Sequence, residues 1–300
     1  MEGTVRDPDI SSVIVGVDGS DPARAAVRWA AAEAARRDRP LHIVHGTDTD
    51  GKALHLSAYA IERVHEAGGG LLRETAEAVA AERPGLRVTT ELSRSDPVTS
   101  LHRAAGLHGT IVVGDRGRGG FGPLTLGSVA LKTAAGAKTP LVVVRGADSG
   151  TEGGVVVVAV RDEHDLPCAR YAAREAELRR AELRLLHVWN MLQSVGNVLT
   201  MVDNLEDLAG EHVEKLKAVT EQIRDEYPDL TVEADADKTM SVAGVLVEAS
   251  HHADLLVMGG RRAPGSMGPS LGRVTHTLVH HAHCPVLLLP RHGREMWSDS

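Results

Sequence analysis

The sequence predicts an α/β protein made of two tandem copies of one unit, each a doubly wound parallel sheet covered by helices on both faces. Three observations lead there. Short β-branched runs alternate with helical stretches along the chain, an order that parallel strands joined by right-handed crossovers satisfy. The chain repeats itself with a period of about 145 residues. Its 300 residues are 42% hydrophobic but only 2% aromatic, so the core must be Val, Leu, Ile and Ala, a supply suited to helices packed on a buried sheet.

In the first unit, strand one is expected at Val13–Val17, followed by a helix opening near Asp21-Pro22, where a capping residue precedes a proline. Strand two is expected at Leu41–His45. A long helix spans Leu54 to Glu82, with Gly68-Gly69-Gly70 as an interruption. Strand three is Arg87–Leu92. Asp96-Pro97 opens a third helix whose apolar face is Leu101, Ala104, Ala105 and Leu107. Strand four is Ile111–Val113, strand five Leu141–Val144, and between them a helix starts near Ser128. The second unit repeats this order. Ser12–Asp18 returns as Val155–Arg161, Leu41–His45 as Leu183–His187, and Leu141–Val144 as Val286–Leu289. Its second helix has a strong face of Leu205, Leu208, Val213, Leu216, Val219 and Ile223. The small, polar, glycine-rich segment Ala147–Gly154 reads as the linker, giving domains of 1–148 and 149–300.

Composition narrows function. The net charge of −8 speaks against nucleic acid as a general partner. The N-terminus has no basic segment leading into an apolar one, so no signal peptide is expected, and no apolar run reaches the roughly 20 residues that span a bilayer. A cytoplasmic protein without membrane association is therefore expected, its two cysteines, Cys168 and Cys284, buried and reduced. Sixteen histidines include His276 and His280 at helical i, i+4 spacing, with His281, His283 and Cys284 beyond. Structural roles are expected for these, and core or rim positions for His42, His45 and His187.

The stretch with chemical content is Gly114-Asp115-Arg116-Gly117-Arg118-Gly119-Gly120-Phe121-Gly122-Pro123-Leu124-Thr125-Leu126-Gly127-Ser128. A buried strand runs into a glycine-rich loop that ends at a helix N-terminus. Glycines let backbone N–H groups crowd around a ligand. Such a nest, with the positive end of the helix, attracts phosphate. Ser128, read as the helix N-cap, adds a hydroxyl, and Arg116 and Arg118 add charge that can meet phosphate oxygens. The loop is not a P-loop, since it lacks Gly-Lys-Ser/Thr, nor the usual dinucleotide turn, since it follows a late strand.

The spacing of Gly114, Gly117 and Gly127-Ser128, with Arg-Gly-Arg-Gly-Gly-Phe inside it, resembles the ATP-binding signature of the universal stress protein family. The resemblance covers nearly the whole chain as two copies. It implies Rossmann-like sheets of order 3-2-1-4-5, a stress-response regulator or sensor, and ATP, with Mg2+ as its candidate companion. It implies that Asp18, Val44 and the neighbouring Gly16 and Val17 hold the base. Gly114, Gly117, Gly127 and Ser128 would hold the phosphates, and Asp115, Arg116, Arg118, Gly119, Gly120 and Val129 would belong to the same nucleotide-binding set. A regulatory protein partner, a homodimer, and pseudo-symmetric pairing of the two halves through their last strands are expected with it. A slow ATPase or self-phosphorylating enzyme at the same crevice stays open as an alternative, as does an interaction protein with vestigial sites.

The second copy departs from this pattern. Arg161 takes the place of Asp18, Arg262 that of Gly117 and Arg273 that of Ser128; only Gly259 and Gly272 are kept. An arginine at the Gly117 position is costly if that position needs positive φ. The second crevice is thus either empty or, through its three arginines, a site for another anion, and the first reading is preferred.

Overall fold

The computed structural model describes residues 12–51, 57–117, 127–145, 154–195, 198–201, 205–260 and 271–290. The chain divides into two compact units, Met1–Val144 and Arg145–Ser300. The linker residues 147–153 and the expected start of the long helix at Leu54 lie outside the described residues.

The first unit runs β1 (Val13–Gly16), α1 (Asp21–Arg36), β2 (Leu41–Gly46), α2 (Ala58–Glu82), β3 (Val88–Ser93), α3 (Pro97–Ala105), β4 (Thr110–Gly114), α4 (Ser128–Gly136), β5 (Leu141–Val144). Its strands are all parallel, in the order β3-β2-β1-β4-β5. Successive residues of the central strands, such as Ile14 and Val15 or Ile111 and Val112, are all fully buried, so both faces of the sheet are covered. α1 packs with α2 and α3 with α4.

Each helix start has a local cause. Ser20 caps α1 by accepting from the Ala23 N–H, with Pro22 in the first turn. Asp96 caps α3, accepting from the N–H groups of Val98 and Thr99; the Thr99 hydroxyl first, and these backbone donors after it, hold its carboxyl below the usual aspartate range. α2 runs unbroken through Gly68-Gly69-Gly70. A Cβ on Gly68 would lie 2.7 Å from Leu92 and 2.9 Å from the His45 ring, so this glycine allows α2 to lie close to the sheet. Gly70 meets nothing within 4 Å. Leu107 falls beyond the end of α3 and is 61% exposed, so it is not part of that helix's buried face.

The second unit runs β6 (Val155–Ala159), a 3-10 turn at Glu163–Asp165, α5 (Leu166–Arg179), β7 (Glu182–Asn190), β8 (Leu192–Val195), β9 (Val198–Met201), α6 (Leu205–Glu226), β10 (Val232–Thr239), α7 (Val242–Ala249), a 3-10 turn at Ser250–His252, β11 (Leu255–Gly259), α8 (Arg273–His281) and β12 (Val286–Leu289). Its sheet, again parallel, has the order β10-β7-β6-β11-β12. Both units therefore follow the expected 3-2-1-4-5 order. The addition is an antiparallel hairpin, β8 with β9, between β7 and α6. On α6, Leu216, Val219 and Ile223 are buried, but Val213 is 49% exposed. No helix among the described residues is long and apolar enough to cross a membrane.

One electrostatic feature occurs in both units. Glu33 near the end of α1 is fully buried and accepts from Arg36 (2.7 Å) and Arg37 (2.6 Å). Glu175 near the end of α5 is likewise buried and paired with Arg179. Removing one partner of a buried pair leaves an uncompensated charge and costs about 3–5 kcal/mol, whereas an exposed pair contributes at most about 1 kcal/mol. Urea denaturation should therefore show Glu33→Ala losing about 3–5 kcal/mol, and Asp21→Ala, whose Arg24 partner is exposed, losing about 1 kcal/mol or less. Equal losses in the two variants would contradict this account.

Candidate functional site

Asp18, Gly114 and Gly117 fall at or beyond the carboxyl ends of β1 and β4, the two strands from which the chain turns in opposite directions along the sheet, where α/β proteins place ligands. Glycine makes their approach possible there. A Cβ on Gly114 would come within 2.6 Å of the Pro22 carbonyl carbon and oxygen, so the start of α1 packs directly on the end of β4. That contact brings the turn after β1 against the loop after β4. A Cβ on Gly117 would lie 2.5 Å from Asp18 Oδ2. Asp18 and the described start of the glycine loop, at Gly117, thus lie side by side.

Asp18 is held from its other oxygen. Ser20 donates to Asp18 Oδ1 through its N–H (3.0 Å) and its hydroxyl (2.6 Å), and the hydroxyl lies 3.5 Å from the Arg116 carbonyl oxygen. Gly19 between them has φ +83°, a conformation open to glycine. The two described limbs of the loop are pinched together. The Gly127 N–H donates to the Asp115 carbonyl at 2.7 Å, and a Cβ on Gly127 would lie 3.3 Å from the Arg116 Cα. Asp115 is buried, with its carboxylate 3.5 Å from Arg116 Nε, so part of the Arg116 charge is already met.

Two expectations need correction here. Gly117 is not among the described residues with positive φ; its constraint is space beside a carboxylate, not backbone handedness. Ser128 is the first residue of α4, and the N-cap is Gly127, which has no side chain to offer. The first turn of α4 therefore has no side-chain acceptor from its own cap, and exposed Ser128 follows Gly127, whose backbone lies against Arg116 and Gly117. Val129 follows in the same turn, its carbonyl accepting from the Thr133 hydroxyl. Lys132 is exposed. Arg118, Gly119 and Gly120 lie outside the described residues.

On the other flank, the Val17 N–H donates to the Val44 carbonyl (3.0 Å), joining two expected site residues. Val44 itself is only 2% exposed, so it can form wall but not a polar contact. Gly16 ends β1, where a Cβ would sit 3.3 Å from Leu101. Two participants escaped the sequence reading of the site. His45 Nδ1 donates to the Val17 carbonyl at 2.7 Å and fixes the end of β1. Ser20 orients Asp18; the signal for it was the capping pattern Asp18-Gly19-Ser20-Asp21-Pro22.

The second unit repeats the scaffold and changes the rim. The Val160 N–H donates to the Leu186 carbonyl (3.0 Å) and His187 Nδ1 to the Val160 carbonyl (2.8 Å), matching Val17, Val44 and His45. At the Asp18 position, Arg161 donates from its N–H (3.1 Å) and its Nε (3.2 Å) to Asp165 Oδ2. Burial raises the Asp165 carboxyl above its usual range, and Arg161 opposes that rise. Gly272 caps α8 with no side chain, as Gly127 caps α4, and Arg273 follows it. Arg262 lies outside the described residues. Among the described residues no group of three or more His, Cys, Asp or Glu side chains is placed to hold a metal ion. Burial raises both cysteine thiols, that of Cys284 to about 12.

The same two units stand out in comparison with known proteins. The sequence pattern of the Universal stress protein family matches residues 10–145 and again 154–290. The chain belongs to that family, as a member with two tandem domains. It is 29% identical over 287 residues to a universal stress protein of Mycolicibacterium smegmatis, covering 92% of this chain and 96% of that one. A universal stress protein of Mycobacterium tuberculosis is 29% identical over 292 residues, with 92% and 96% covered. The fold is similar to the crystal structure of a universal stress protein from Archaeoglobus fulgidus, with a TM-score of 0.70 at 17% identity over 94% of this chain and 98% of that one.

The contact of Gly117 with Asp18 gives a test of the crevice. Gly117→Ala introduces a methyl where the carboxylate oxygen stands and should displace Asp18, while Gly70→Ala, in open space, should leave the unit unchanged. A crystal structure of Gly117→Ala with Asp18 and Ser20 still in place would refute the stated packing.

Proposed function

We propose that the first unit's crevice binds ATP and that the protein is a nucleotide-dependent regulator or sensor of the cytoplasm. The observation that carries this reading is the close approach of Gly117 to the Asp18 carboxylate on one side and to Gly127, the cap of α4, on the other. A phosphate chain needs convergent N–H donors and backbone bare of side chains, and in this reading Gly117 and the start of α4 behind Gly127 provide them. A base or ribose needs a fixed acceptor, and Asp18, oriented by Ser20, is one. Ser128 adds a hydroxyl toward the phosphates. Arg116, Arg118 and the glycines at 119 and 120 complete the loop in this reading, with Mg2+ as a companion of the phosphates.

The second unit is proposed to leave its crevice without nucleotide. Arg161 removes the acceptor and spends its charge on Asp165. Arg273 puts a cation at a helix N-terminus, where the dipole disfavours it.

Calorimetric titration tests both statements. One chain should bind one ATP, at low and at physiological salt alike. Asp18→Ala and Gly117→Arg should each weaken binding at least tenfold, about 1.4 kcal/mol, with Gly117→Arg the more severe. Unchanged affinity in both variants would remove the crevice from consideration. Two equally tight sites at physiological salt would show that the second unit is a binding site as well.

A further inference from the structure

We propose that His187 and His212 form a proton-sensitive clamp in the second unit, which holds the first half of α6 against β7 and releases it on acidification. The inference is independent of nucleotide binding. His187 is buried on β7, and His212 is half-buried on α6, with its Nδ1 2.8 Å from His187 Nε2. The imidazole of His212 also stacks on Trp189 of β7, with ring centroids 4.6 Å apart and planes 16° from parallel.

The hydrogen bonds assign the protons. The Val160 carbonyl can only accept, so His187 Nδ1 carries a proton toward it. In a neutral ring His187 Nε2 is then an acceptor, and His212 Nδ1 must donate to it. A first added proton goes to His212 Nε2 and leaves the shared bond intact. A second has only His187 Nε2 to occupy, and two N–H groups would then face each other across 2.8 Å between two cations. The pair therefore accepts one proton and parts at the second, titrating as a unit.

Among the described residues this part of α6 is only shallowly packed. From Asp207 to Lys215 no residue is fully buried; burial begins at Leu216. The clamp also belongs to one unit alone. α2 and α6 both end on glutamate, Glu82 and Glu226, and the same count back from those ends reaches Gly68 and His212. Gly68 lies against His45, the counterpart of His187, so where the first unit has a bare backbone contact the second has a titratable one.

The charged neighbours are few. Glu211 and Lys215 lie on α6 itself, and Asp162 and Asp165 come from the turn after β6. β7 offers Trp189, and on β10 the register partner of His187 is Ala236. Burial holds both rings below the usual histidine value of about 6.5, and Lys215 acts in the same direction. Because the folded values are depressed, the stability of the neutral pair is fully present above about pH 6.5 and is lost as pH falls below it.

The test uses the full chain carrying 15N-histidine and fluorotryptophan, titrated by NMR from about pH 8 to about pH 5. The expected result is two coupled histidines titrating below about 6.5, with His187 keeping its Nδ1 proton through the first step. A shift of the Trp189 resonance should accompany the second step, with at least a tenfold loss of amide protection over residues 209–215. His212→Gln, which can still donate to His187 but cannot titrate, should abolish the acid response. Independent titration of both rings near 6.5 with no change at Trp189, or an acid response in His212→Gln equal to that of the natural chain, would overturn the proposal. Should His212→Gln fail to fold by circular dichroism, the labelled titration of the natural chain decides alone.

Discussion

The close seating of α1 on the end of β4 organises the first unit. It depends on Gly114 having no side chain, because any Cβ there would occupy the space of the Pro22 carbonyl. Once α1 sits at this depth, the turn at Asp18–Ser20 and the loop at Asp115–Gly117 touch, and the second glycine, Gly117, becomes necessary beside the Asp18 carboxylate. Ser20 then serves twice, as the cap of α1 and as the donor that orients Asp18. Helix capping and the placing of the Asp18 carboxylate are here one set of hydrogen bonds.

The two units show which parts of this arrangement are structural. The ends of β1 and β6 are tied in the same way, by a backbone bond to the neighbouring strand and a histidine on the carbonyl. These carbonyls lie at buried strand ends, where an unpaired polar group is costly, so the same residue type serves in both copies. The rim is solvated, and there the copies differ. Asp18 and Gly117 are a matched pair in the first unit, since the glycine makes room for the carboxylate. The second copy has Arg161 and Arg262 at those positions, so both members of the pair are replaced together.

Histidine has more than one use in this chain. His45 and His187 each donate from Nδ1 to a backbone carbonyl, and His187 extends the arrangement to a second ring through His212. His251 stacks on His283 at 3.5 Å between ring centroids, in the loops that flank β11 and β12. With aromatics at 2%, imidazole rings take up part of the packing that Phe and Tyr would otherwise do.

Sequence alone carried the duplicated α/β architecture, the order of the sheet strands and their helices, and the glycine loop after the fourth strand, but not the β8–β9 hairpin. Those features are local: β-branched runs, capping residues before Pro22 and Pro97, and glycine spacing are set by neighbours within a few positions. It also determined the membership that the family comparison shows, because the motif Gly114–Ser128 is contiguous. What it did not determine depends on residues distant in the chain. Leu107 and Val213 are apolar and in helical register, yet the sheet does not reach them. Gly68 reads as a helix breaker until His45 and Leu92 are seen against it. The reason Gly117 is glycine lies 99 positions away, in the Asp18 carboxylate, and the partner of His187 comes from another helix. Periodicity records which side of an element is apolar; only the packed tertiary structure decides what that side meets, because contact distances are set by the elements jointly.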